Sequence, residues 1–280
     1  WYLSINGNQQ IRGLSMSSRA TKNITLGVTD LSFHRVTASL VTHVLQDMDF
    51  NVQRVYAPHE ENFSHLRQGK ADLLSSAWLP SSHGIYKAQV EKQIAVTELG
   101  LHYAPYALWG VPSYIPKEAV NEISDLRKPD VIAKMRRDIQ GINAGAGITR
   151  FSIQMMKEYK LSEAGYHFFP GTEQECFETF ERAVANKQWV VVPLWKPQFL
   201  HHKYIVRELV EPKGLLGSVD RAVLLVSNDK KALFTSEQLA RLDALHFSNS
   251  IVAELDYQVC REGKALDLVT KLWLREHNFL

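Results

Sequence analysis

Two tryptophans stand where a short apolar run meets a proline. Ala71 to Leu74 leads through Ser75-Ser76-Ala77 into Trp78-Leu79-Pro80, and Val190 to Leu194 leads into Trp195-Lys196-Pro197. The face of an indole carries negative charge density and attracts a cation, including a methylated one with no hydrogen-bond donor. One tryptophan at the end of a buried strand reads first as core. Two matched Trp-x-Pro strand ends read as site residues, because proline fixes the local backbone and hence the direction of the ring. Strand ends are also where open α/β sheets hold ligands. A glycine turn, Asn143-Ala144-Gly145-Ala146-Gly147, precedes a helical pattern. Backbone N–H groups at such a helix start suit an anion, with a plain tight turn as the alternative. The Asp30-Leu31-Ser32-Phe33 turn offers the same geometry. Rings for a cation and a turn for a carboxylate together describe a zwitterion site.

Other chemistries find little support. The sequence has no Gly-x-Ser-x-Gly elbow, P-loop, Gly-x-Gly-x-x-Gly after the first strand or His-Glu-x-x-His, so no catalytic residue is assigned. His201 and His202 are adjacent and cannot share one helix face, so neither a metal nor a cofactor is expected. Cys176 and Cys260 form no Cys-x-x-Cys and read as buried thiols, with one disulfide as the alternative. With 32 Lys and Arg against 30 Asp and Glu, net charge is +2 and no basic block suggests nucleic acid. No apolar run is long enough for a membrane helix. Residues 1–22 lack periodicity and read as a tail or an artificial remnant; the chain opens on Trp1, and an export signal is expected to have been lost at this end.

The positioning elements follow from period. Ile24 to Val28 reads as a strand; Val36, Leu40, Val41, Val44 and Leu45 mark a helix with Ser32 as N-cap; Val52 to Tyr56 is a second strand; Glu60 to Arg67 is a helix; a third strand ends at Trp78. This alternation predicts a parallel sheet with covered faces. The aromatic stretch Ile94 to Pro112 reads as an extended crossing between two lobes. Beyond it come a helix over Ile123 to Arg137 broken at Pro129, a strand Ile139 to Ile142, a helix Ile148 to Tyr159, a strand His167 to Phe169, and a helix from Thr172 to Asn186. Thr172 is its N-cap, with Glu175 completing a capping box. The second lobe is expected to repeat the first. Tyr204 to Glu208 crosses back, Ala222 to Val226 rejoins the first sheet, and three helical stripes over Ser236 to Asn278 cap the molecule. The predicted architecture is α/β: lobe 1 from 23–108 plus 209–280, lobe 2 from 109–208, and the ligand in the cleft between them.

Four segments in this order carry a resemblance that runs from about Asn23 to Asn278. They are Ala71-Asp72 with Trp78-Leu79-Pro80 and His83; Gly141-Ile142 with Gly145-Ala146-Gly147-Ile148; Val190-Val191-Val192 with Trp195-x-Pro197 and Lys203-Tyr204; and Leu266 to Asn278 around Trp273. The chain resembles the substrate-binding proteins of ABC importers for glycine betaine, choline and related quaternary amines. The resemblance implies a type II periplasmic-binding-protein (Venus flytrap) fold that closes on its ligand. It also implies a non-catalytic, monomeric protein in the periplasm or at the outer face of the membrane, delivering to a permease. By resemblance Trp78 and Trp195 are walls of an aromatic cage. Many relatives place a tryptophan in the turn after the first strand, where this chain has Leu31, and a histidine three residues after the second tryptophan, where it has Gln198. The cage then either lacks one wall or takes it from Phe33, Tyr103, Tyr106 or Trp109, with Ser32, Asn143, Ala144 and Gly145 as further neighbours of the ligand. Carnitine, proline betaine, dimethylsulfoniopropionate and histidine or another amino acid stay open as ligands beside glycine betaine and choline.

Overall fold

The computed structural model describes residues 21–280. Most of the expected tail, 1–20, lies outside the described residues, and its last residue, Lys22, already opens the first strand. The chain runs β1 (Lys22–Thr29), α1 (Ser32–Asp47), β2 (Phe50–Ala57), α2 (His59–Arg67), β3 (Leu73–Leu79), α3 (Gly84–Glu91) and β4 (Val96–Leu99). It continues with β5 (Tyr106–Pro112), α4 (Pro129–Lys134), β6 (Asp138–Gln140), α5 (Gly147–Glu158), β7 (His167–Phe169), α6 (Glu173–Ala185), β8 (Val192–Lys196), α7 (Leu200–Lys203) and β9 (Val206–Glu208). It ends with β10 (Arg221–Ser227), α8 (Ser236–Asp243), α9 (Asn249–Cys260) and α10 (Leu266–Glu276).

The first lobe is built on a five-stranded sheet of order β2-β1-β3-β10-β4. β1 pairs in parallel with both β2 and β3, as the strand–helix alternation predicts. The sheet is mixed, however, because β10 runs antiparallel between β3 and β4. Every residue of β3 is buried, as a strand covered on both faces must be. α1 buries an almost unbroken run from Phe33 to Leu45, packed on the sheet from one side and on α9 and α10 from the other. A helix apolar nearly all round needs this double cover.

The second lobe does not repeat the first. Its strands form an antiparallel sheet β8-β5-β9 and a separate parallel pair β6-β7. β6 and β7 are three residues each and pair only with one another, so the parallel part stops short of a continuous sheet. The helix broken at Pro129 is a 3₁₀ turn, Ile123–Arg127, followed by α4 with the proline in its first turn. The Thr172–Glu175 capping box at α6 is formed in both directions. β5 begins at Tyr106, so the boundary expected after residue 108 falls inside that strand.

Two local expectations change. Leu31, not Ser32, holds the N-cap position of α1; Ser32 is the first helical residue, and its N–H is satisfied from the other lobe by the Glu173 carboxylate at 2.9 Å. The tryptophans lie within the strands as their penultimate residues, Trp78 in Leu73–Leu79 and Trp195 in Val192–Lys196. Cys176 and Cys260 are both free thiols.

Candidate functional site

Trp78 leaves the first sheet and Trp195 the second, and both indoles are buried where the lobes meet. Phe33, from the first turn of α1, lies between them. Its ring centroid is 5.1 Å from that of Trp78 and 5.4 Å from that of Trp195. A small cavity of about 20 Å³ opens here, and its wall includes Leu31, Phe33 and Trp78 from one lobe and Ile142, Ala146, Gly147 and Trp195 from the other. The two indoles are held differently. Trp78 donates its Nε1–H to the Tyr103 hydroxyl at 3.2 Å and its backbone N–H to His83 Nδ1 at 3.0 Å. Trp195 packs on Phe177 of α6 at 5.9 Å, and its buried Nε1 has no partner.

Three histidines complete one end of the cavity. His34 in α1, His59 at the start of α2 and His83 just before α3 are all buried, and one ring nitrogen of each lies within 4.8 Å of the others. Each follows one of the parallel strands β1, β2 and β3, so the sheet gathers them at its carboxyl edge. Burial pushes His34 and His83 well below the ordinary imidazole range, and His59 falls to about 4 because burial and the Arg150 charge both oppose a second proton. Arg150 of α5 reaches across from the second lobe, donating to the carbonyls of Gly145 and Ser82 at 2.7 and 2.5 Å. It has no carboxylate partner among the described residues.

Two acids, half-buried Glu173 and buried Asp256, lie beyond the other end. Glu173, the first residue of α6, accepts the Ser32 N–H, and Asp256 of α9 accepts the Cys260 thiol at 3.3 Å. Burial, with Asp256 nearby, pushes the Glu173 carboxyl up to about 7, and burial pushes Asp256 up to about 6. One turn along α6 from Glu173, Phe177 supports Trp195.

Of the residues singled out in the sequence, Trp78, Trp195, Leu31 and Phe33 come together on the cavity wall. Tyr103 stands behind Trp78 as its hydrogen-bond partner. Trp109 is turned away, fully buried and donating to Ser152 Oγ at 2.8 Å. Tyr106 pairs with Glu208 at 2.8 Å on the second sheet. Asn143, Ala144 and Gly145 form the turn next to the wall, and the wall itself takes Ala146 and Gly147 from that segment. Gln198 is buried on a separate groove of about 600 Å³ with Pro197, His201 and His246. His34 and His59 escape notice in the sequence, because nothing in their spacing links them.

The sequence profile described as the substrate-binding domain of ABC-type glycine betaine transport systems matches residues 22–276. A glycine betaine/carnitine transport binding protein of Listeria monocytogenes is 26% identical over 150 residues. That match covers 54% of this chain and 49% of the relative, so the chain spans about half that protein's length. The crystal structure of lactococcal OpuAC, closed on glycine betaine, superposes with a TM-score of 0.80 at 22% identity, covering 92% of this chain and 96% of that one. An ABC-transporter choline-binding protein in complex with choline superposes with a TM-score of 0.77 at 14% identity, covering 91% and 89%. At these identities the solved structures bear on the fold: two α/β lobes of the periplasmic-binding-protein type.

Proposed function

The chain belongs to the family of substrate-binding domains of ABC-type glycine betaine transport systems, and we propose that it captures a small quaternary-amine zwitterion between its lobes. The ammonium lies against the Trp78, Phe33 and Trp195 rings, and the carboxylate points to the end of the cavity where α5 begins. The observation that carries this reading is the position of Phe33, at 5.1 and 5.4 Å from the two indoles. It supplies the third aromatic wall that Leu31 cannot. Each ring facing a desolvated cation contributes roughly 0.5–2 kcal/mol. Three rings with a satisfied carboxylate are enough for micromolar binding, about −8 kcal/mol.

The ends of the site favour one orientation. Arg150, the α5 N-terminus and the histidine N–H groups suit the anion, and Glu173 and Asp256 lie on the side of Trp195 that suits the cation. Leu31 and Ser32 shape the turn beside the rings, and Asn143, Ala144 and Gly145 hold the turn that delivers the α5 N-terminus. Tyr103 and Trp109 act as supports, and Gln198 lies outside first contact.

The protein works as a monomer outside the cytoplasm, at the periplasmic or extracellular face of the membrane, and passes its ligand to an ABC permease. It carries out no reaction and binds no nucleic acid. We draw the lobe division at the start of β5 and near residue 208. Closure about these crossings is held by the Tyr86 hydroxyl on the Gly145 carbonyl, at 2.7 Å, and by Arg261 on Glu181, at 2.8 Å.

Titration of the intrinsic tryptophan fluorescence tests the reading. Glycine betaine, proline betaine and carnitine are expected to give saturable changes with micromolar midpoints. Choline, dimethylsulfoniopropionate and histidine in the same panel grade the need for each end of the ligand. A protein that responds to no methylated ammonium or sulfonium compound does not have this function.

A further inference from the structure

Two helices begin at the cleft, and their starts are finished differently. The cavity wall takes Leu31, Phe33 and His34 from the start of α1, and Ala146, Gly147 and Ile148 from the start of α5. The start of a helix carries about half a positive charge, which attracts an anion and opposes a cation. Neither helix has an acidic residue in its first turn or a side-chain cap of its own. Left so, both starts would draw a carboxylate, and an ammonium beside Phe33 would face an unfavourable field. The contact between the lobes changes one of them. The Glu173 carboxylate, carried on the second lobe, accepts the Ser32 N–H at 2.9 Å. The start of α5 receives no such carboxylate among the described residues, and its Arg150 donates to the Gly145 carbonyl instead.

Glu173 is not needed to cap its own helix. Thr172 and Glu175 complete the α6 capping box in both directions without it. Its second carboxyl oxygen is buried with no partner, and so is one oxygen of Asp256, the fully buried acid that acts on it. Neither acid forms an ion pair among the described residues. Arg35, which acts on Glu173, is paired with Asp30, and Arg261, which acts on Asp256, is paired with Glu181. An uncompensated carboxyl out of water costs the fold stability. Such local costs gather where function requires them.

We propose that Glu173 sets which end of the ligand lies beside α1. Held on the Ser32 N–H, its carboxylate masks the positive start of that helix, so this side of the cavity accepts the ammonium. The unmasked start of α5 is left to the ligand's carboxylate. This rests on the function proposed above and adds the residue that fixes the ligand's orientation and charge. Leu31, the wall residue next to Ser32, is aliphatic and offers the ammonium no ring face, so the charge behind it supplies the attraction there. The attraction is mutual, because a cation against Phe33 and Trp195 favours the ionised form of Glu173. The carboxylate comes from the opposite lobe, so the masking lasts only while the lobes are together. Glu173 is not on the cavity wall; it acts through α1, as a positioning residue.

Isothermal titration of the full chain with glycine betaine, choline and tert-butylacetate tests this. The last has the shape and carboxylate of glycine betaine, with carbon in place of the charged nitrogen. In Glu173→Gln the amide oxygen still accepts the Ser32 N–H, and only the charge is gone. Glycine betaine and choline are expected to bind it about tenfold more weakly, the size of a helix-end charge effect in a half-buried place, while tert-butylacetate binds as before or more tightly. Glu173→Asp, which keeps the charge on a shorter arm, is expected to stay within about threefold of the parent for both cations. Should Glu173→Gln fail to fold, Asp256→Asn removes the neighbouring charge, and a smaller shift in the same direction is expected. A loss that falls equally on all three compounds, or that Glu173→Asp shares in full, makes Glu173 only a closing contact and overturns the proposal, as does no loss at all. A parent chain that binds neither glycine betaine nor choline overturns the function itself.

Discussion

At the histidine end of the cleft, burial and the Arg150 charge hold His59 down to about 4; at the acid end, burial and Asp256 push Glu173 up to about 7. The same loss of hydration acts on both, with opposite sign because one group is charged when protonated and the other when deprotonated. The consequences for stability also oppose each other. A histidine whose folded pKa lies below its unfolded value of 6.5 leaves the protein fully stable above that pH, and stability is lost as pH falls from 6.5 toward 4. A glutamate raised from 4.5 to about 7 stabilises at low pH, and that contribution is lost as pH rises through this window. Between about 4.5 and 6.5 the two slopes cancel in part, so a nearly flat pH profile hides two strained ends.

Removing the rings between the ends has the largest expected effect. Trp78→Ala is expected to weaken glycine betaine binding by tenfold or more, about 1.4 kcal/mol. It also removes the indole N–H that the Tyr103 hydroxyl accepts. Trp195→Ala is expected to weaken binding to a similar degree and to leave the Tyr103 hydrogen bonds in place, because Trp195 leans on Phe177. A loss of affinity in only one of the two variants, measured by fluorescence titration, contradicts a cation held between both indoles.

A smaller effect separates the ends by stability. Glu173→Gln keeps an acceptor for the Ser32 N–H and removes the ionisable group. It is expected to be more stable than the parent at pH 8, by roughly 1–3 kcal/mol, and to lose stability more steeply below pH 6.5, where Asp256 alone of the two acids still opposes the histidine slope. Urea unfolding midpoints across pH 5 to 8 check this, and a parallel downward shift at every pH counts against it. The smallest effect is at the α6 cap. Thr172→Ala removes the side chain that accepts the Glu175 N–H. It is expected to cost about 1 kcal/mol, a few degrees in Tm, without changing the pH profile.

Much of the frame could be read from the sequence. The Thr172–Glu175 box, the break at Pro129 and the two Trp-x-Pro strand ends are local patterns, and local hydrogen bonding or ring closure enforces them whatever surrounds them. The parallel register of β1, β2 and β3 followed from strand–helix alternation, but the antiparallel entry of β10 did not, because its apolar run is compatible with either direction. The histidine cluster was hidden for a geometric reason. His34, His59 and His83 each stand a few residues past a different strand, and only the order β2-β1-β3 makes them neighbours. One histidine within a few residues past each of three successive strands was a usable signal. His83 counted only as part of a tryptophan segment, and the acid end needed α6 and α9 to meet.

The place of β10 also sets an order of events in time. The strands of the second lobe all lie between Tyr106 and Glu208, so that lobe can assemble while it is still emerging, from contacts made within one continuous stretch. The first sheet cannot close until Arg221–Ser227 has been made and threaded between β3 and β4. Until then β3 presents an open edge to whatever is nearby, and such an edge invites pairing with other chains. A chain held extended until its last quarter is available avoids that hazard, as does one kept from folding on its way across a membrane.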